Sequence, residues 1–320
     1  MSSGHWIVRL AFVGAVSLPG PVLAQSSAAT TSSSDAQIVQ AADALWYRTS
    51  RLGLEDGGAA AIDGHNQVRR MLEPLVARGS QEPAAYWMIA RSEYDLGEIL
   101  ARTPEEAKKN EVQRLKLYDD IIRLSTICVE KVAPTDGSCW YWVATGLGRR
   151  STAKGVLNSL FTAKDVEKAW LKGLSLNPQY KTAGGEPQMN NIRYGLGVFY
   201  RMVPDSWLVK LVAGVRGDIR KAVAYFRDAV AAEPYRIELR KELAVALLCW
   251  ADRDDAAATS ATEGRAILEQ ILAGKFDGPD PRNTDATDKR HARELLNDPS
   301  IACGYSRDGV QDLDESKIKR

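Results

Sequence analysis

The residues best suited to metal binding or acid–base chemistry are few and widely spaced in this chain of 320 residues. It has three histidines, and two of them, His65 and His291, lie in the body of the chain. Neither has a cysteine, a second histidine or a carboxylate at the spacing of a zinc site. The sequence therefore predicts no metal site and no cofactor, and each histidine is interpreted as a surface or interhelical residue.

A glycine-rich segment at 146–155 invites interpretation as a phosphate-binding loop. It lacks the Gly-Lys-Ser/Thr order of such loops and follows a predicted helix rather than a strand. A small anion-binding patch of Arg149, Arg150 and Lys154 remains an alternative to a solvated basic turn. No Gly-x-Ser-x-Gly segment marks a nucleophile, and adjacent carboxylates diverge on a helix. We predict that the protein is not an enzyme, with a hydrolase assembled from distant residues as the outlying alternative.

Four cysteines allow three disulfide pairings. We favour Cys128 with Cys139, because the first ends one predicted helix and the second begins the next, with Pro134 in the turn between them. Cys249 with Cys303 then ties the C-terminal tail to the last hairpin. Buried free thiols remain the alternative for either pair.

The first 24 residues are typical of a secretory signal. His5 and Arg9 provide a weakly basic start, an apolar run follows at 10–16, and cleavage is expected after Ala24. No other stretch reaches the roughly 20 apolar residues of a membrane helix. Lys and Arg total 42 against 41 Asp and Glu, a balance that gives no field to attract nucleic acid. These features predict a periplasmic or secreted protein with no nucleic-acid partner and no stable membrane insertion.

From about residue 35 onward the chain is predicted to be helical. Apolar residues recur at intervals of three and four, and alternating runs typical of strands are few. Pro83, Pro134, Pro178 and Pro234 each end one helical stretch and precede another. The pattern predicts an all-α protein made of helical hairpins.

The best-defined hairpin combines small and aromatic residues at helix-packing intervals. Its residues are Ala222, Phe226, Ala229 and Pro234, followed by Leu243, Ala244 and Leu247. They resemble the tetratricopeptide repeat family, and the resemblance covers roughly residues 65–250. It implies an irregular tetratricopeptide-like superhelix with an extended concave face and a helical C-terminal cap.

A narrower resemblance comes from the elongated, exported arrangement, which is similar to the periplasmic tetratricopeptide component associated with some tripartite (TRAP-type) solute transporters. The segments 140–144, 148–149 and 196–201 are similar to eukaryotic regulators of microtubule dynamics. The signal sequence favours the exported bacterial group. That resemblance implies a periplasmic solute-binding protein as the protein partner, and ring-like homo-oligomers.

The turn prolines lie 51, 44 and 56 residues apart, against about 34 in a regular repeat. The additional residues fall at 95–113, 149–164 and 199–217. The last two inserts are apolar, and we predict that they form short helices or lids. The last one contains Trp207, Leu208 and Leu211. The predicted binding residues are these three together with the polar group Asn190, Asn191, Arg193 and Arg201.

We divide the chain into a signal peptide (1–24), a flexible leader (25–34), a repeat domain (35–257), a C-terminal helical cap (258–298) and a tail (299–320). The leading functional hypothesis is an exported, non-enzymatic binding or scaffold protein. It is expected to engage a protein partner or an apolar small ligand. An envelope-assembly adaptor that holds peptide segments is the alternative.

Overall fold

The computed structural model describes residues 28–54, 57–254, 257–278 and 281–314, with side chains from residue 34 onward. The predicted signal peptide lies outside the described residues. The described residues form thirteen α-helices and no β-strand, and their one isolated bridge joins Lys181 to Pro187. This confirms the all-α class.

The helices are numbered in chain order. They are α1 (Ala28–Thr49), α2 (Ala59–Ala77), α3 (Pro83–Ile99), α4 (Pro104–Lys109), α5 (Glu111–Ile127), α6 (Gly137–Ala153), α7 (Ala163–Ser175), α8 (Gln188–Met202), α9 (Trp207–Ala213), α10 (Ile219–Ala232), α11 (Ile237–Arg253), α12 (Ala258–Leu272) and α13 (Asp285–Asn297). A π-helical turn (Cys128–Val132) extends α5, and 3-10 helices occupy Leu157–Thr162 and Pro299–Cys303.

Several helices begin where the sequence places a capping side chain. Asp136 accepts a hydrogen bond from the amide of Ser138 at 2.7 Å and starts α6, and Asp218 does the same for α10 through Lys221. Pro83 is the first residue of α3, where its missing amide proton costs no hydrogen bond. The turns that contain the predicted prolines therefore separate helices as expected.

The helices pack in two layers. The first layer contains α1, α3, α6, α8, α11 and α13, which contact one another in that order, and the second contains α2, α5, α7, α10 and α12. The close approach between layers depends on glycine: the rings of Trp170 and Phe226 occupy the space that a β-carbon would need at Gly195 and Gly197 of α8. Both rings are buried, so the two layers share one continuous apolar core.

Each of the three predicted inserts contains a short helix. These are α4 at the first insert, the 3-10 helix Leu157–Thr162 at the second and α9 at the third. The last two contact each other. The second and third inserts therefore meet on one part of the molecule.

Both predicted cysteine pairs lie at disulfide distance. The α-carbons of Cys128 and Cys139 are 5.7 Å apart, and those of Cys249 and Cys303 are 4.7 Å apart. The first bridge links α5 to α6, and the second ties the C-terminal segment to α11. Across the described ranges, every helix is too short or too polar to cross a bilayer.

The two ends of the described chain differ from the prediction. Helix α1 begins at Ala28, inside the predicted leader, and packs against α2 and α3. At the other end, residues 299–308 do not form a solvated tail: Tyr305 is 3% exposed, and the side chains of Arg307 and Asp308 are 9% and 5% exposed. Their ion-pair partners lie on α3, α5, α6, α11 and α13, so periodicity within the tail does not reveal them.

Candidate functional site

A cavity of about 140 Å³ lies between α6, α7 and α8. The 3-10 helix Leu157–Thr162, α11 and residues 306–307 complete its walls. Aromatic side chains dominate the lining: Tyr94, Tyr141, Trp170, Tyr194 and Phe199. Aliphatic side chains fill the spaces between them, namely Val156, Leu160, Val166, Val198, Met202 and Val203.

The aromatic walls are held by their neighbours on the same and adjacent helices. Tyr141 makes edge contacts with Trp142 at 4.7 Å and with Trp170 at 5.4 Å between ring centroids. Trp170 in turn lies directly over Gly195 of α8. Because such edge contacts and the tight packing restrict ring rotation, the cavity is preformed.

Two phenol hydroxyls at the cavity lack a hydrogen-bond partner among the described residues. They belong to Tyr94 and Tyr194, whose rings are fixed by edge contacts with Trp142 and Phe226. Burial raises the pKa of both phenols well above the ordinary value of 10. Both hydroxyls therefore stay protonated and are able to donate a hydrogen bond to a bound molecule.

Charged side chains form one side of the cavity, and all of them are paired. Arg149 pairs with Glu98 and with Asp308 at 2.8 Å. Arg201 is 1% exposed, pairs with Glu242 at 3.2 Å and donates to the carbonyl oxygens of Ala302 and Tyr305. Neither arginine therefore keeps an unneutralised charge for a ligand.

Arg307 joins three elements of the first layer at this side of the cavity. Its guanidinium lies 3.4 Å from Glu98 on α3, 3.1 Å from Glu238 on α11 and 3.4 Å from Asp288 on α13. Burial alone would raise the pKa of Glu238, but Arg236 and Arg307 hold it well below its usual range. The carboxylate is therefore charged in the folded protein.

Lys241 and His291 extend the network toward α13. Burial would lower the pKa of Lys241, but Asp288, 2.8 Å away, and Tyr305 hold it above its ordinary value. Burial, followed by Lys241 and Arg307, lowers the pKa of His291 to about 2. The hydroxyl of Tyr305 lies 2.7 Å from Nδ1 of His291. Arg290, which can only donate, lies 3.3 Å from Nε2, so the neutral imidazole accepts at Nε2 and donates from Nδ1 to Tyr305.

Of the predicted binding residues, Arg201 alone lines the cavity. Asn191 accepts a hydrogen bond from Arg236 at 2.6 Å, and Arg193 donates to Asn190 at 2.9 Å. Asn191 therefore connects α8 to the start of α11, the bond between Arg193 and Asn190 lies within α8, and none of the three lines the cavity.

Trp207, Leu208 and Leu211 lie on α9, away from the cavity lining. Trp207 is 74% exposed and Leu211 is 73% exposed, whereas Val209 on the same helix is fully buried. Phe161, 75% exposed, lies on the 3-10 helix that contacts α9. We call Phe161, Trp207, Leu211 and Val212 the apolar patch.

The alternative of an anion patch at 149–154 is not supported by the structure. Arg149 is buried in the ion pairs of the cavity, and Arg150 is 2.7 Å from Asp119. Among the described residues, no group of three or more His, Cys, Asp or Glu side chains converges in a way that could hold a metal ion.

The cavity tyrosines were missed from the sequence because helix periodicity assigns aromatic residues to packing. Tyr94 and Tyr194 do occupy packing positions, and only the hydroxyls distinguish them from ordinary core residues. The sequence pattern did not indicate that Arg307 is buried, because it lies in a polar segment. Its importance comes from carboxylates that precede it by 19 or more residues.

No protein-family model matches the chain, and no similar sequence was found among the curated proteins compared with it. The resemblance to tetratricopeptide proteins therefore stays a prediction. The cavity and the apolar patch are interpreted from their own geometry.

Proposed function

We propose that this protein is an exported, non-enzymatic binding protein that holds a small, mainly apolar ligand between α6, α7 and α8. The observation that carries the proposal is the preformed cavity of about 140 Å³ lined by aromatic and aliphatic side chains. An apolar engineered cavity of about 150 Å³ is large enough for a benzene ring. Burial of apolar surface would supply most of the binding free energy.

The charged groups at the cavity support binding rather than catalysis. Glu242, the acidic residue of the lining, is paired with Arg201 and Lys241 and is 2% exposed. A general base needs a carboxylate that is free to exchange a proton with the substrate. In this arrangement the ion pairs position the helices, and the aromatic walls contact the ligand.

Gly148 allows the cavity to be filled without disturbing its walls. It lines the cavity on α6, and a β-carbon built there meets no atom within 4 Å. Gly148→Leu should occupy the cavity, whereas Gly148→Ala should leave most of it open. Both variants replace glycine in a helix, so both remove the entropic penalty of glycine.

The test is native mass spectrometry and calorimetric titration with toluene. Wild-type protein and Gly148→Ala are expected to bind toluene or to retain a co-purified ligand, and Gly148→Leu is expected to lose both. Equal binding by Gly148→Leu and wild type would place the ligand elsewhere and refute the proposal.

A protein partner is the second candidate, and the apolar patch supports it. Three large hydrophobic side chains, Phe161, Trp207 and Leu211, are each more than 70% exposed on two contacting elements. Exposed apolar clusters of this kind commonly mark interaction surfaces. By the resemblance described above, the partner would be a solute-binding protein of a tripartite transporter or a second copy of the chain.

Sedimentation velocity and envelope pull-down test this candidate. Trp207→Ser combined with Leu211→Ser should abolish self-association or capture of a solute-binding protein. A matched control replaces Tyr235, which is 70% exposed outside the patch, by Ser. The partner hypothesis fails if the double variant and the control behave alike.

The exported location is supported by the two disulfide pairs, since such bonds persist in oxidising compartments. The peptide-adaptor alternative is less well supported. Residues 299–308 of the chain itself pack against α11 and α13 and pair with α3, α5 and α6. A bound peptide would have to displace that segment or use another surface.

A further inference from the structure

The ion pairs around the cavity form one connected network with no net charge. Neighbouring members share an ion-pair partner, and the network is branched, with Arg114, Arg201 and Glu233 at its three ends. The six basic members are Arg114, Arg149, Arg201, Arg236, Lys241 and Arg307, and the six acidic members are Glu98, Glu233, Glu238, Glu242, Asp288 and Asp308.

This balance decides which ligands the cavity accepts. A carboxylate ligand would add a negative charge beside Glu242, to a network whose basic members are already paired with its acidic ones. Burial of an unpaired charge is strongly unfavourable. A cation would meet the same difficulty, because every carboxylate of the network already has a basic partner.

The uncharged polar groups at the cavity are, by contrast, incompletely satisfied. Within the described ranges the hydroxyls of Tyr94 and Tyr194 have no hydrogen-bond acceptor, and both rings line the cavity. A ligand oxygen within reach of these donors would gain a hydrogen bond that an apolar group of the same size lacks, so it would be bound more tightly.

We propose that the cavity selects a neutral molecule with a ring-sized apolar body and one hydrogen-bonding oxygen, which accepts from Tyr94 and Tyr194, and that it rejects carboxylates. This assignment rests on the proposed function, because it concerns the same cavity. It specifies the ligand class further: an alcohol, phenol, ketone or amide rather than an organic acid.

Two pairs of probes of similar shape separate the polar contact from the charge. p-Cresol and p-xylene differ by a hydroxyl in place of a methyl, and 4-methylbenzamide and 4-methylbenzoate differ by one charge. By calorimetric titration of the full chain at pH 7.5, p-cresol should bind about three- to tenfold more tightly than p-xylene, the gain typical of a neutral hydrogen bond. The amide should bind at least about 100-fold more tightly than the carboxylate.

Three tyrosine variants assign the contact to the cavity hydroxyls. Tyr94→Phe and Tyr194→Phe keep both rings and break no hydrogen bond of the described chain, so they should fold normally. Each should reduce the preference for p-cresol over p-xylene while leaving p-xylene affinity unchanged. Tyr235→Phe, at an exposed position, is the control and should retain the full preference.

A charge variant tests the electrostatic half of the proposal. Glu242→Gln leaves the network with six basic and five acidic members and removes a carboxylate from the cavity lining. Its affinity for 4-methylbenzoate should rise at least tenfold over that of the wild type. Circular dichroism confirms beforehand that the variant is folded.

The outcomes separate this proposal from the one on which it depends. Binding of no probe would refute both the cavity function and the ligand class. Two outcomes would overturn the ligand class but leave the cavity function standing. One is that p-xylene binds as tightly as p-cresol, and the other is that 4-methylbenzoate binds as tightly as 4-methylbenzamide. Loss of the p-cresol preference in both cavity variants but not in Tyr235→Phe would support it.

Discussion

Arg307 should be among the most important residues for stability, although it lies in a segment that looks like a polar tail. Its side chain is 9% exposed and contacts three carboxylates, Glu98, Glu238 and Asp288, which are 10%, 8% and 0% exposed. Replacement by leucine would keep an apolar side chain but would remove the guanidinium that these three buried carboxylates share. Breaking a buried ion pair from one side typically costs about 3–5 kcal/mol.

An exposed ion pair of the same chemistry provides the control. Arg227 and Glu263 are 2.8 Å apart, and their side chains are 52% and 43% exposed. Arg227→Leu should therefore cost less than about 1 kcal/mol, because water and salt screen the pair. The two variants make the same chemical change in buried and exposed settings.

Urea denaturation, followed by far-ultraviolet circular dichroism with the disulfides intact, measures the difference. Urea is preferred over guanidinium because it does not screen charges. The midpoint of Arg307→Leu should lie well below that of the wild type, with Arg227→Leu close to the wild type. If the two variants lost the same free energy of unfolding, residues 306–308 could not be an integral part of the folded structure, and the description of the charged network would be wrong.

Three further predictions concern glycine, pH and the disulfides. Gly148→Ala should stabilise the protein by about 0.5–1 kcal/mol in urea denaturation, whereas Gly195→Ala should destabilise it, because the ring of Trp170 fills the space of the new methyl group. His291, whose pKa is lowered from 6.5 to about 2, stays neutral while the unfolded chain takes up a proton below pH 6.5. Its contribution to stability therefore falls as pH drops from about 6.5 toward 2. His291→Asn should reduce the loss of unfolding free energy between pH 7 and pH 5 by about 2 kcal/mol. An unchanged pH dependence of stability in this variant would show that the imidazole is charged in the folded protein. Serine replacement of both cysteines of a pair should lower the free energy of unfolding by about 4 kcal/mol for Cys249–Cys303, which spans 54 residues, and by about 3 kcal/mol for Cys128–Cys139, which spans 11. The reverse order would argue against the loop-entropy model.

The helical hairpins were predictable because their signals are local. A capping aspartate, a turn proline and small residues at intervals of three or four lie within one or two helical turns of each other. Pro83 begins a helix, as expected of a turn proline, and Ala222, Phe226 and Ala229 are buried together on α10. The first disulfide followed from the same local geometry, since its cysteines flank a single turn.

The environment of Arg201 was not predictable, because burial of a charge depends on partners that are distant in sequence. On α8 alone, Arg201 resembles a solvent-facing residue that is able to contact a ligand. In the structure it donates to the carbonyl oxygens of Ala302 and Tyr305, 101 and 104 residues away. No periodicity in α8 indicates that a later segment will cover this residue and neutralise it.

The C-terminal segment therefore changes where recognition is expected. Had residues 299–308 been solvated, Arg149 and Arg201 would each have kept one carboxylate partner, Glu98 and Glu242, but would have been more accessible to an anionic partner. With the segment in place, Asp308 pairs with Arg149, and Arg201 donates to two backbone carbonyls as well as pairing with Glu242. These charged groups are therefore paired within the folded chain. What remains for a ligand is an aromatic cavity with two neutral hydroxyl donors, and this is why a neutral molecule fits better than an acid.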